Sequence, residues 1–231
     1  MANKKTNSIL PILKMAMFLL ATIGLVLVIR RSLILSGFMS DNNKPGFTGF
    51  DVNSGTTILH IVPGALFMLL GPLQFMPRIR GRHLLFHRWS GRVFIAAAYT
   101  IGLTSVVLSF TKPLLGGLSE AVASVFFSVF FLVCVSLSLH YILKKQVLLH
   151  REWMIRAFSL GLAIATVRLI TVFTFIFFKV RPENFLGIAF WMGFTCHAIV
   201  AEVWINYTRR PILRVPKTFL FNGIRNNVVH P

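Results

Sequence analysis

The stretch that decides the fold is residues 87–110, HRWSGRVFIAAAYTIGLTSVVLSF, in which a basic motif leads directly into an apolar run. A second stretch, residues 150–178, reads HREWMIRAFSLGLAIATVRLITVFTFIFF and has the same order of features. In both stretches Arg follows His, and another Arg stands three residues after a Trp. Because residues three apart on a helix share one face, each motif predicts a helix that enters a membrane with Trp and Arg side by side.

Apolar runs of this kind make up most of the chain. The composition is 55% hydrophobic and only 13% charged, with a mean hydropathy of +0.75. A hydrocarbon core about 30 Å thick requires about 20 apolar residues per helix. We therefore predict an all-α polytopic membrane protein, a six-helix transmembrane bundle in one domain. The predicted spans are 8–29, 57–75, 89–110, 120–143, 153–178 and 185–207, followed by a basic tail over residues 208–231.

The first span has charged residues near both ends. Fifteen residues separate Lys14 from Arg30, which is about 22 Å of helix, so both side chains would extend outward to reach water. A cleaved signal peptide is the alternative, and the basic start at Lys4 and Lys5 fits it. No small-residue cleavage pattern follows, and we predict an uncleaved span.

The charge distribution predicts the orientation of the bundle. Lys and Arg outnumber Asp and Glu by 24 to 6, which in a soluble protein would indicate nucleic acid binding. With the six predicted spans, 17 of these cations fall on one side and 6 on the other. This is the positive-inside pattern, so we predict cytoplasmic termini, location in a bacterial inner (cytoplasmic) membrane, contact with anionic lipid headgroups and no nucleic acid partner.

Among the polar side chains within the predicted spans, four are singled out by their depth, because burial in hydrocarbon is costly and requires a partner. The deepest are an arginine ten residues short of the outer end of its span and a histidine twelve residues into the last span. For the histidines, a hydrogen-bonded packing role is the alternative to a functional one. The candidate polar cluster is His60, Arg168, His197 and Glu202.

One pairing is predicted within this set by depth alone. Glu202 lies at the level of Arg92 and Arg156, near the inner interface. A carboxylate at that depth needs a cation, and we predict an arginine–glutamate pair there.

Several short motifs occur together between Thr56 and Glu202. They are His60-Ile-Val-Pro-Gly64, Gly71-Pro-Leu-Gln74-Phe, His87-Arg-Trp-Ser-Gly91-Arg92, His150-Arg-Glu-Trp153-Met-Ile-Arg156 and Thr166-Val-Arg168-Leu. This combination resembles a bacterial multi-span membrane family known as domain-of-unknown-function family 2306. The resemblance implies a helical membrane protein and brings no activity with it.

The most specific functional hypothesis is a b-type haem site for transmembrane electron transfer. Bis-histidine ligation needs two imidazoles on facing helices and cations for the propionates. His87 and His150 would be the axial ligands, and Arg92 and Arg156 would hold the propionates. No metal other than haem iron is predicted. The opposing interpretation is that both motifs are interfacial anchors, because Trp and Arg favour the headgroup level.

Two further hypotheses stay open. In one, His60, Arg168 and the inner arginines line an intramembrane cavity that binds or transports an anionic lipid or small anion, because the planar guanidinium suits phosphate. In the other, the chain is a structural accessory membrane protein. Enzymatic activity is undecided, since His60 or His150 could act as a general base but the sequence shows no nucleophile, carboxylate pair or metal-ligand cluster to accompany it.

Overall fold

The computed structural model of the protein describes residues 9–36, 55–111 and 114–209, and the predicted tail beyond Arg209 lies outside them. Secondary structure in the described residues is helical throughout, as predicted, and six of the helices are long and apolar enough to cross a membrane. The elements are α1 (Ile9–Leu35), α2 (Gly55–Gln74), α3 (Pro77–Arg82), α4 (Leu84–Thr111), α5 (Gly117–Leu143), α6 (Val147–Phe178) and α7 (Pro182–Thr208).

Two helices begin five or more residues earlier than the apolar runs predict. Helix α4 begins at Leu84 rather than at residue 89, and α6 begins at Val147 rather than at residue 153. Hydropathy marks the edge of the hydrocarbon, but leucine and arginine are good helix formers and continue the helix beyond that edge. His87 and His150 therefore lie in the first turns of helices. The short helix α3, which starts at Pro77, was not predicted.

Successive long helices run in opposite directions. The Nε2–H of Gln74, at the end of α2, donates to Oγ of Ser90 near the start of α4 at 2.8 Å. Likewise Arg209, just after α7, reaches Glu152 near the start of α6, with Nη2 and Oε2 2.8 Å apart. Each contact joins the end of one helix to the beginning of another.

The bundle thus has two ends. We call the end where α2 and α5 finish, at Gln74 and Leu143, the motif side, because both His-Arg motifs lie there. The opposite end, where α4 and α6 finish at Thr111 and Phe178, is the far side. Helix α6 packs against α1, α5 and α7 and has twelve buried residues between Glu152 and Thr171, so this part of it lies at the centre of the bundle.

An aromatic cluster fills the middle of the bundle around Phe67, which is fully buried. Its ring stacks on Phe94 with centroids 4.6 Å apart and meets Phe131 and Phe158 at 5.7 and 5.5 Å. Glycine makes room for these rings. A Cβ on Gly161 would stand 2.3 Å from the Phe67 ring, so the two helices can approach at this level only because residue 161 has no side chain.

Gly71 provides the same kind of space on α2, and this gives a stability test. A Cβ there would stand 2.1 Å from the Phe158 ring, whereas a Cβ on Gly64 in the same helix would meet nothing within 4 Å. We expect Gly71→Ala to lower the free energy of unfolding by about 1–3 kcal/mol through overpacking, with Gly64→Ala unchanged or slightly more stable. Thermal unfolding of the detergent-purified protein measures both, and equal stability of the two variants would contradict this account of the packing.

Candidate functional site

The two His-Arg motifs have the same local geometry. The Arg92 guanidinium lies 4.5 Å from the centroid of the Trp89 ring, and Arg156 lies 4.5 Å from that of Trp153. The predicted side-by-side placement of Trp and Arg is therefore confirmed at both copies. These are cation–π contacts made within one turn of helix.

The partners of the two arginines differ. Arg156 donates from Nε and Nη2 to the two carboxylate oxygens of Glu202, at 2.5 and 3.0 Å. The predicted arginine–glutamate pair is therefore confirmed, and its arginine is Arg156 rather than Arg92. A second fork of this kind, between Arg209 and Glu152 at 2.9 and 2.8 Å, was not predicted. Both pairs join α6 to α7.

The structure brings His87 and His150 near each other on the motif side, close enough for electrostatic interaction. His150 Nδ1 lies 2.9 Å from the carbonyl oxygen and 2.8 Å from Oγ of Ser138, which ties its ring to α5. His87 Nδ1 is buried without a hydrogen-bond partner among the described residues. About two turns deeper on the same two helices, the rings of Phe94 and Phe158 are 6.0 Å apart, so packed aromatic residues lie between the two histidines and the membrane centre.

His197 and His60 join helices through hydroxyl groups. His197 Nε2 lies 2.8 Å from Oγ1 of Thr166, and Ser159 Oγ donates to the His197 carbonyl oxygen at 2.8 Å. His60 Nδ1 lies 2.9 Å from Oγ1 of Thr104. These contacts fit the packing interpretation of both histidines. The hydroxyl partners were missed because Ser and Thr in apolar helices carry no signal for which neighbour they face.

The four residues of the candidate polar cluster do not meet at one place. His60 and Arg168 border a large cavity on the far side, whereas Glu202 and Arg156 border a separate groove of about 260 Å³. The hypothesis that the inner arginines line the same cavity as His60 and Arg168 is wrong for Arg156, because its guanidinium points to α7. Arg92 does not border that cavity either.

The far-side cavity has a volume of about 1120 Å³ and is bordered by all six long helices. Most of its wall is apolar, and the charged side chains among its described lining residues carry both signs. These are Arg30, Arg31, Arg168, Arg181, Glu120 and Glu183.

Arg168 reaches the cavity because it lies on the same face of α6 as Gly161, Ile164 and Thr171, at spacings of three and four residues. It interacts electrostatically with Glu120 at the start of α5. The Glu120 carboxylate is held there by the backbone N–H of Gly116, which donates to Oε2 at 2.7 Å. The deep arginine thus has a positioned carboxylate nearby, as its burial requires.

Sequence reasoning did not assign the other cavity arginines to a site. Arg31 and Arg181 were counted only among the six cations on the side poor in positive charge, and Arg30 also as the charged end of the first span. Cations are scarce on that side because the positive-inside rule gives them no role in topology there. Those that are present therefore indicate another role. Three arginines retained there near the ends of α1 and α6 could have been read as a candidate anion site.

The Arg156–Glu202 pair can be tested with Arg92, the corresponding arginine of the other His-Arg motif, as the control. We expect Arg156→Ala and Glu202→Ala each to lower the stability of the protein, and the double variant to cost little more than either alone. The expected coupling is about 1 kcal/mol, because the carboxylate is partly exposed. Arg92→Ala is the matched control, since Arg92 makes the same Trp contact and no ion pair within the described residues. Additive effects at residues 156 and 202 would contradict the pairing.

Comparison with known proteins bears on the part of the bundle from α2 to α7. The family described as "Predicted membrane protein (DUF2306)" matches residues 57–205, from the first turn of α2 to the last turn of α7. No curated protein and no solved structure matches the chain. The matched interval contains both His-Arg motifs, His60 and Arg168, and spans five of the six long helices. The chain therefore belongs to the predicted membrane protein family DUF2306.

Proposed function

We propose that this protein binds an anionic amphiphile, a molecule with an anionic head and an apolar tail, in the far-side cavity. The observation that carries the proposal is the combination of about 1120 Å³ of space, mostly apolar walls and four arginines. Each of these properties restricts the chemistry of the occupant.

The volume favours a lipid-like molecule over a small anion. Ligand cavities in proteins usually measure about 300–1,000 Å³, and this one, at about 1120 Å³, lies just above that range. A small anion would leave most of the apolar wall uncovered. A molecule with a hydrocarbon part would cover it.

The charge favours an anionic head. Arginine stays charged in proteins, and a charged side chain at membrane depth must be compensated. Even with Arg31 left aside, three arginines face the two carboxylates of Glu120 and Glu183 among the described lining residues. A phosphate or carboxylate head would accept paired hydrogen bonds from a guanidinium and would balance the excess.

The test is the replacement of the deepest of these arginines. We expect Arg168→Gln to reduce the occupancy of bound anionic lipid about tenfold or more, because charge-assisted hydrogen bonds contribute about 1.5–3 kcal/mol. Native mass spectrometry of the protein in mild detergent, with phosphatidic acid and phosphatidylglycerol as probes, measures this. Arg151→Gln, in the same helix but outside the cavity, is the matched control. Equal lipid retention by the two variants would overturn the proposal.

Haem binding between α4 and α6 is the second candidate. In its favour, His87 and His150 lie near each other, and the Nδ1 atom of His150 is held by Ser138. Ligating histidines usually have such a hydrogen bond, which leaves Nε2 for the metal. Against it, Arg156 is engaged by Glu202 rather than available to a propionate. We therefore rank it below the lipid proposal.

A visible spectrum separates the two candidates. Haem ligation requires a strong Soret band in protein purified from haem-replete cells, and the band must be lost in His87→Ala and His150→Ala. On the lipid proposal, we expect a colourless protein. A Soret band that both substitutions abolish would make haem the better proposal.

A further inference from the structure

The far-side cavity is layered from charged to apolar along the bundle axis. Its charged side chains lie toward the far-side end, with Arg181 at the turn between α6 and α7 and Glu120 in the first turn of α5. Below Arg168 the wall becomes apolar. Gly161, seven residues deeper on α6, is about 10 Å further toward the middle of the bundle.

Phe67 and Phe131 line the deep end of the cavity, which we call its floor and which Met68 and Leu160 also border. Phe67 is twelve residues into α2 and Phe131 is fourteen residues into α5, so they lie about 18 and 21 Å from the far-side starts of these helices. They belong to the central aromatic cluster and are 0% and 5% exposed. The Phe67 ring already fills the space beside Gly161, so the floor cannot recede without breaking that packing.

We propose that the amphiphile lies with its head at the arginines and its tail toward the bundle centre, and that Phe67 and Phe131 limit the length of that tail. This inference rests on the proposed function and adds to it the class of ligand: an anionic lipid whose chain is selected by length.

The opposite orientation, with the head at the floor and the tail at the arginines, is unfavourable. It would place an anion against the rings of Phe67 and Phe131, where the described lining residues include no cation, and burial of an unpaired charge is strongly unfavourable. It would also place hydrocarbon against Arg168. With the head at the arginines, a tail too long for the remaining depth must bend or lift the head away from them.

The experiment uses the full-length protein and a series of alkyl phosphates from octyl to octadecyl. Native mass spectrometry measures the occupancy of each phosphate when all are present at equal mole fraction. We expect occupancy to rise to a maximum with chain length and then to fall about tenfold, the penalty typical of overpacking. Occupancy that is independent of chain length, or that rises through octadecyl phosphate, would overturn the inference.

Variants of the floor test the residues assigned to it. Phe67→Leu and Phe131→Leu should each shift the maximum to a longer chain, and either variant is sufficient if the other does not fold. Phe94→Leu is the matched control, because Phe94 belongs to the same aromatic cluster and does not border the cavity. The same maximum in all folded variants would show that the floor does not set the length.

The two proposals fail differently in this experiment. If no alkyl phosphate binds the wild-type protein at all, the proposed function fails and the length limit fails with it. If alkyl phosphates bind, and Arg168→Gln weakens them without any preference for chain length, the proposed function stands and only the length limit fails.

Discussion

The structure depends on the contact between the Phe67 ring and the backbone of Gly161. The ring occupies the place where any side chain at residue 161 would be, and it gathers Phe94, Phe131 and Phe158 around it. In a membrane, helices gain little from burying apolar surface against one another, because lipid is equally apolar, so close packing of this kind holds the bundle together. It also separates the far-side cavity from the motif side.

The two His-Arg motifs show how one sequence pattern takes different roles with different neighbours. In both copies the arginine lies over its own tryptophan, which depends only on helix geometry. Within the described residues, Arg156 is the one of the two that pairs with a carboxylate, because α7 runs beside α6 and brings Glu202 to its level. Local geometry is repeated in the two copies, while the long-range partner is not.

The same distinction explains how much could be predicted. Hydropathy and helix periodicity predicted the six helices and the stacking of Trp on Arg, and depth predicted the pairing of Glu202 with an arginine. These features depend on one helix or on position along the membrane normal. The cavity depends on which helix faces are turned toward each other, and sequence periodicity is weak in helices that are apolar on every side. For that reason Arg30 and Arg181 were not assigned to a shared site, and Thr166 was not assigned to His197.

The ion pairs and hydrogen bonds between α6 and α7 have a consequence for how the bundle can move. Arg209–Glu152 and Arg156–Glu202 join the two helices on the motif side, and His197 joins them near their middle. We expect helices connected at three levels to move together, since separating them would break two ion pairs and the His197 hydrogen bond at once. We therefore expect any opening of the bundle to displace α1 and α2 relative to a fixed α6–α7 pair. The hinge would then lie outside the segment that carries the ion pairs.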